Sequence, residues 1–345
     1  MSLLTSQSLP SELTFDSISF LSLFERYLDT LLQTFDPSVR ELAQHVVLGG
    51  GKRIRPLLVY TCGITRSSTT QDLLKAASVI EIVHVATLVH DDILDNADLR
   101  RNKPTLHSKY GDHTSILLGD ALFSFALELA SDFPDSRVCR FVSRATRKTC
   151  IGEINQSCSK GNYDLTADEY FSIIQDKTGE LFNASCSVGG FLGGLSPDLI
   201  ECVGDFGTSL GLNYQIYDDL IDTFGNDFSF GKTLGSDLQS GKLTLPIIRL
   251  LEELPNERRL SLKSDFISED YNIDFKKYLG QLFIDYNIHE VCFSELESRL
   301  SNSKLIASNI PDSDLSARLT SFISSFDSKI EELATNLLPN FLALN

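Results

Sequence analysis

The sequence predicts an all-α protein, and three observations carry that expectation. Apolar residues recur at three- and four-residue spacing along most of the 345 residues, the period of an amphipathic helix. Alternating apolar–polar runs bounded by turn pairs, the mark of strands, are scarce. Glycine, proline and polar clusters fall between the periodic segments, where helices should stop.

Taken in order, Phe20, Leu21, Phe24, Leu28, Leu31 and Leu32 mark a first amphipathic helix. The stretch "GGGKRIRP" (49–56) is a glycine-rich loop entering a second, with Pro56 suited to a first helical turn. A longer helix is expected over 72–95. Helical patterns also cover 114–131, 137–159, 167–175, 179–192, 198–223, 243–253, 288–307 and 314–338. "RRNKPT" breaks the helix before it, and "FGNDFSFGKTLGSDLQSGK" is a long polar loop. "LPNERR" and "NIPDSD" separate the last helices. "GGFLGG" (189–194) has no strand before it and reads as a helix-packing or helix-breaking element. With no long Pro/Ser linker, the expectation is a flexible tail over 1–15 and a single helical domain over 16–345.

Composition narrows the function. The net charge is −17, from 47 acidic and 30 basic residues. That balance argues against a general nucleic-acid or anionic-membrane binder. A phosphate ligand would need its cations gathered in one place, or metal. The seven cysteines are widely spaced with no CxxC pair. They predict reduced, mostly buried thiols in a cytoplasmic protein. No uninterrupted run reaches the roughly 18 apolar residues of a membrane span, so no stable membrane anchor is expected. The N-terminus lacks the basic and apolar regions of a secretory signal.

The chemistry lies in "LVHDDILDNADLRR" (88–101) and "NYQIYDDLIDTF" (213–224). Each carries D-D-x-x-D: Asp91, Asp92 and Asp95, then Asp218, Asp219 and Asp222. Residues four apart share a helix face. Like charges at that spacing cost about 0.2–0.5 kcal/mol at a wet surface, and more against an apolar wall. A divalent cation removes the conflict. Six carboxylates on two facing helices would make an oxygen-rich cage suited to Mg²⁺, waters and phosphate oxygens. One such motif alone is usually a solvated face; two, each on an apolar helix and each followed by a basic loop, point to a metal site. The basic candidates are Lys52, Arg53 and Arg55 in the glycine loop, Arg100 and Arg101, Lys177-Thr178, and Lys232 and Lys242. Arg suits bidentate phosphate contacts and Lys acts as a point charge. His84, seven residues before Asp91, shares its face, and His90 reads as a structural neighbour of the aspartates. No Ser-His-Asp set or Walker A pattern is present.

These pieces together resemble the trans-isoprenyl diphosphate synthases, the polyprenyl synthetase family, medium- to long-chain type. "GGGKRIRP", "HDDILDNADLRRNKPT", Gly119-Asp120, Glu153 with Gln156, "KTG", "YQIYDDLID" and "GKTLGSDLQSGKLTLP" stand in the family's order over roughly 49–246. The resemblance implies an isoprenoid-synthase-type bundle of antiparallel helices around a central cavity, with isopentenyl diphosphate and an allylic diphosphate as partners. It implies Mg²⁺, three per active site with substrate bound, on Asp91, Asp95 and Asp218, with Asp92, Asp219 and Asp222 completing the acidic shell. Arg100, Lys177, Thr178, Gln215, Lys232 and Lys242 would hold the allylic diphosphate. Lys52, Arg55, His84 and Arg101 would hold isopentenyl diphosphate. The six aspartates with Lys177 and Lys232 form the implied catalytic set, and a homodimer is implied. Ionisation of the allylic diphosphate builds negative charge on the leaving group, which metal and basic residues stabilise.

Product length should be set on the helix ending in the first motif. Ala86 and Thr87, about one turn before Asp91, are small, and Val83 above them is not aromatic. The expectation is a product longer than farnesyl, in the geranylgeranyl to octaprenyl range, with Phe123 on a later helix as a possible floor. Two rivals stand beside this. A class I terpene cyclase would carry N-D-x-x-S-x-x-x-E in place of "DDLIDTFGND". A silent subunit of a heteromeric synthase would lose motif residues, and all six aspartates are present.

Overall fold

The helices begin and end where local chemistry dictates. The computed structural model describes residues 17–65, 68–100, 103–224, 236–267 and 273–344. The tail expected over 1–15, and the candidates Arg101 and Lys232, lie outside the described residues. Helix α1 (Ser17–Leu32) buries Phe20, Phe24, Leu28 and Leu32 at four-residue spacing. In α2 (Pro37–Val47), Asp36 caps the Ser38 amide and Pro37 fills the first turn. α3 (Ile54–Gly63) starts from Arg53 in a left-handed conformation. α4 (Thr70–Leu94) is capped by Thr69, whose hydroxyl accepts from the Asp72 amide. A two-residue hairpin, β1 (Leu99–Arg100) with β2 (Lys103–Pro104), follows.

Beyond it run α5 (Leu106–Tyr110), α6 (Asp112–Ser131) and α7 (Arg137–Cys158). α8 (Ala167–Ile174) opens on a full capping box between Thr166 and Glu169. A π-helical turn, Gln175–Gly179, joins it directly to α9 (Glu180–Leu192). The sequence pattern left a gap there; the chain instead stays helical with one widened turn. α10 (Pro197–Phe224) carries the second motif. α11 (Ser236–Gln239), α12 (Leu245–Glu253), α13 (Asn256–Ile267), α14 (Ile273–Asp285), α15 (Ile288–Ser308) and α16 (Ser313–Leu344) complete the chain. The all-α expectation holds. α2, α5, α11, α13 and α14 escaped the periodicity reading, α11 lying within the stretch read as a long polar loop; α13 is strongly polar and buries only Leu262 and Phe266 among its residues.

Two apolar clusters form the interior. One gathers Phe206, Leu210, Leu220, Leu250 and Leu296 from α10, α12 and α15; the other gathers Phe24, Ile80, Ile82 and Leu122 from α1, α4 and α6. α9 faces both, with Phe182 and Cys186 in the first and Leu181 and Val188 in the second. Its glycines make that central position possible. A β-carbon on Gly189 would stand 2.3 Å from the Val59 carbonyl oxygen, so α3 and α9 meet backbone to backbone. "GGFLGG" is thus a packing element, as its sequence suggested.

Two expectations need correction. α4 and α6 are each long and apolar enough to cross a membrane by length and composition. Their few charges interrupt the runs without lowering the mean below that of a span. α4 is mostly buried inside the bundle, as a core helix would be, whereas α6 leaves Ile116, Leu117 and Leu127 exposed. The cysteines are not mostly buried: Cys62, Cys186 and Cys292 are, Cys139 is half-buried, and Cys150, Cys158 and Cys202 are exposed.

Candidate active site

Both acidic motifs fall at the C-terminal end of their helices, Asp91 and Asp92 in the last turn of α4 and Asp218, Asp219 and Asp222 in the last two turns of α10. Asp95 caps α4. A helix C-terminus already carries partial negative charge, so carboxylates there are on the unfavourable end of the macrodipole. The arrangement calls for cations, and the chain supplies several.

Lys242, 6 % exposed, donates to Asp95 Oδ2 at 2.6 Å and stands 3.9 Å from Asp237 Oδ1. The Asp237 amide in turn donates to Asp222 Oδ2 at 3.4 Å. Lys242 thereby bridges the ends of the two acidic helices. Arg100 closes on Asp92, with Nε and Nη2 each 2.7 Å from Oδ1. Lys177 sits in the π turn, donating to Gln156 Oε1 at 2.7 Å and paired with Glu153. That turn is seated by Gly152 of α7, where a β-carbon would lie 2.3 Å from the Lys177 nitrogen.

The second motif is held by a relay. Thr178 Oγ1 donates to Gln215 Oε1 at 2.8 Å, Gln215 Nε2 donates to Asp219 Oδ1 at 2.8 Å, and the Tyr170 hydroxyl donates to Asp219 Oδ2 at 2.6 Å. Thr178 and Gln215, named from the sequence as ligand contacts, thus also orient Asp219. Asp218 is half-buried beside them.

Burial sets the protonation. It pushes the Asp91 carboxyl up to about 6, with Lys177 opposing and Glu153 and Asp95 adding to the rise. Asp219 goes to about 8, through burial and then the nearby Asp237. Asp92 is raised by burial against the pull of Arg100. Lys177 is raised: burial works against its charge, but Asp91 and Glu153 more than offset it.

The glycine loop divides. Lys52 lies over the Tyr214 and Tyr217 rings, at 5.4 and 5.7 Å. Arg55 stacks 4.5 Å over Phe182, and burial lowers it to about 10. Arg53, a phosphate candidate by sequence, is corrected: it is 5 % exposed and engaged at 2.7 Å with both Glu25 and Glu81, and at 2.9 Å with the Val47 carbonyl. It is a tie between α1, α3 and α4. His84 lines a small cavity with Glu81, Leu88, Asp92 and Arg100. His90 turns to α6 instead, 3.1 Å from the Ile116 carbonyl oxygen and 3.7 Å from Asp120 Oδ1.

The cage of six carboxylates is also corrected. Among the described residues no group of three or more acidic, His or Cys side chains is set to hold one ion. Asp92 engages Arg100 through Oδ1, and Asp219 spends both oxygens on Tyr170 and Gln215. What remains fits a hard cation bound by one or two carboxylates, with water and phosphate oxygens completing its shell. Asp95 Oδ1 supports this, being buried and without a hydrogen-bond partner. With one or two carboxylates to each ion, Asp91 and Asp95 at one helix end and Asp218 at the other are the residues that would hold divalent cations.

Thr87 is half-buried, one helical turn below Asp91 on the same face, and its hydroxyl donates to the His84 carbonyl at 2.7 Å. Ala86 and Val83 are buried in the core beside it. Phe123 packs on His90, with ring centroids 5.8 Å apart, on the neighbouring face of α4. Sequence reasoning passed over four residues that meet the site: Lys160, Tyr170, Asp237, and Glu153 as the partner of Lys177. Of these only Asp237 and Glu153 lay within quoted motifs. Lys160 and Tyr170 had no local signal.

The profile of the family described as Polyprenyl synthetase matches residues 36–279. A short chain isoprenyl diphosphate synthase of Methanocaldococcus jannaschii is 34 % identical over 242 residues, covering 68 % of this chain and 74 % of its own. Heptaprenyl diphosphate synthase component 2 of Bacillus subtilis is 31 % identical over 242 residues, covering 70 % of each. A solved structure, the polyprenyl synthase from Caulobacter crescentus CB15 complexed with calcium and isoprenyl diphosphate, superposes with a TM-score of 0.82 at 27 % identity, over 88 % of this chain and 93 % of that one. With its helical fold, its paired acidic helix ends and this match across most of its length, the chain belongs to the polyprenyl synthetase family of prenyl-transferring enzymes.

Proposed function

We propose that this chain condenses isopentenyl diphosphate with an allylic diphosphate to give an all-trans polyprenyl diphosphate longer than farnesyl. The observation that carries the reading is the pair of acidic helix ends bridged by Lys242 and bordered by Arg100, Lys177 and Thr178. Mg²⁺, three per site with substrate, would neutralise the leaving diphosphate as the allylic C–O bond breaks. Lys177 and Arg100 add fixed positive charge beside it, and Lys232 joins them in the proposal. Lys52, Arg55, Arg101 and His84 hold the second diphosphate. The half-buried Arg55, stacked on Phe182, offers a guanidinium, a strong partner for phosphate oxygens. Leu88 lines the cavity beside Asp92 and Arg100, and this apolar turn of α4 would keep water from the allylic cation. The π electrons of the isopentenyl double bond form the new bond to C1. The proton lost from the resulting cation goes to the departing diphosphate.

The small Ala86 and Thr87 support a product in the geranylgeranyl to octaprenyl range. A homodimer through the exposed apolar residues of α6, Ile116, Leu117 and Leu127, belongs to the same proposal. So does a cytoplasmic location, which the free cysteines support. A second reading is favoured by one relative: the heptaprenyl synthase component 2 is named as a component, so this chain would need a different partner subunit for full activity.

The test is to incubate the purified chain with Mg²⁺, farnesyl diphosphate and isopentenyl diphosphate and to size the products by mass spectrometry. A series ending at a definite length beyond farnesyl is expected. Condensation that stops at farnesyl overturns the length assignment. No condensation with any allylic primer overturns the stand-alone enzyme and favours the component reading.

A further inference from the structure

Asp95 carries an arrangement that neither acidic motif nor the basic loops predict. Its Oδ2 accepts from Lys242 at 2.6 Å. Its Oδ1 is buried with no hydrogen-bond partner, and Lys160 Nζ stands 3.9 Å away from that oxygen. Asp95 therefore lies between two ammonium groups, one in contact and one held just short of it. Lys160 follows the end of α7 by two residues, and its side chain is 28 % exposed.

The two lysines are fastened together. The Gly161 amide donates to the Gly241 carbonyl at 2.9 Å, so the loop bearing Lys160 is hydrogen-bonded to the loop bearing Lys242. Both glycines adopt φ of +73°, which a side chain would resist. The Lys242 amide donates to the Asp237 carbonyl, which ties the pair to the second acidic helix end. Lys160 thus reaches the site on a braced loop.

A divalent cation on Asp95 is repelled by the ammonium groups that face the same carboxylate. A metal that takes the open Oδ1 therefore works against Lys160, 3.9 Å from that oxygen. The nearest new anion is the diphosphate that arrives with the metal. A lysine, with three rotatable donors on a flexible stem, can follow it.

We propose that Lys160 is a further diphosphate-binding residue of this site. Beside Lys242 it balances Asp95 before the metal enters, and it turns to the diphosphate oxygens once the metal holds the carboxylate. The inference rests on reading the site as one for magnesium and diphosphate. It has a signature that a merely structural residue lacks: removal of the charge should change metal binding and diphosphate binding in opposite directions.

The experiment is calorimetric titration of the full chain, of Lys160→Met and of Lys160→Arg, first with Mg²⁺ alone and then with inorganic diphosphate at saturating Mg²⁺. Lys160→Met is expected to bind Mg²⁺ alone several-fold more tightly and magnesium diphosphate about tenfold more weakly. Lys160→Arg should recover most of the diphosphate affinity. If both affinities of Lys160→Met are unchanged, or both fall together, or Lys160→Arg behaves as Lys160→Met does, the role of Lys160 is overturned. If the unsubstituted protein binds no magnesium diphosphate, the reading of the site is overturned with it.

Discussion

Asp91 is ionised at a cost in this protein. Its carboxyl is raised from 3.8 to about 6, chiefly by burial. A raised carboxyl binds more protons folded than unfolded across that interval. Stability is therefore greatest below about pH 4 on this account and falls as pH rises through about 6. The span from 3.8 to about 6 corresponds to roughly 3 kcal/mol at most. Asp91→Asn should therefore stabilise the metal-free protein at pH 7.5, by about 1–3 kcal/mol in a urea melt, while abolishing condensation. A melt unchanged by the substitution would mean that Asp91 carries no such burden. Burial raises the Asp219 carboxyl to about 8, so it takes up a proton more readily than an ordinary carboxylate when no metal is bound. Binding of Mg²⁺ near that group should release protons, visible as a dependence of the calorimetric heat on the ionisation enthalpy of the buffer.

The π turn between α8 and α9 is where an irregular element does chemical work. One extra residue per turn aims Lys177 at Glu153 and Gln156 of α7 while Thr178 reaches Gln215 of α10. Such widened turns recur at functional sites. This one depends on the missing side chain of Gly152, and a β-carbon there would press on the Lys177 and Asp176 backbone. Gly152→Ala should cost about 1–3 kcal/mol of stability and lower condensation well over tenfold by moving Lys177. A variant of normal stability and activity would show that the turn yields freely. On α4, Ala86→Phe adds an aromatic ring one turn below the first motif. The product series should stop earlier, with initial turnover largely kept, as mass spectrometry would show; an unchanged final length would remove Ala86 from the cavity wall.

The bundle as a whole is braced away from the site. Arg53 joins Glu25 of α1 to Glu81 of α4 at the start of α3, and both Arg53 and Glu81 are almost fully buried. Replacing a buried ion pair entire is often tolerated, but removing one partner strands the other. Arg53→Met leaves Glu81 unpaired and should cost about 3–5 kcal/mol. The double change Arg53→Met with Glu81→Met should recover much of that loss. If the double variant melts no higher than the single one, the tie is more than electrostatic. The exposed apolar residues of α6 are a second whole-molecule feature. In the proposed homodimer, Ile116→Glu with Leu117→Glu should shift sedimentation from dimer to monomer, and a wild-type protein that sediments as a monomer would overturn that part of the proposal.

The helical class, the two acidic helix ends and most of their basic company were legible in the sequence, because each is local. A 3.6-residue period, a D-D-x-x-D spacing and a glycine loop are readable from neighbouring residues. Thr178, Gln215 and Lys177 could be named from their motifs. What neighbours do not reveal is which charge ends in which pocket. Arg53 and Arg55 are two residues apart, yet one is bound within a buried ion-pair network and the other stacks on Phe182. The six aspartates looked alike and are not: both oxygens of Asp219 accept hydrogen bonds from the protein and Asp92 is paired with Arg100, while Asp95 keeps a buried oxygen without a hydrogen bond. Lys160 had no motif at all and stands 3.9 Å from Asp95 on a loop that the Gly161–Gly241 hydrogen bond ties to the loop of Lys242. The physical reason is that periodicity and motif spacing act along the chain, whereas partner choice among charges follows distance and burial across it.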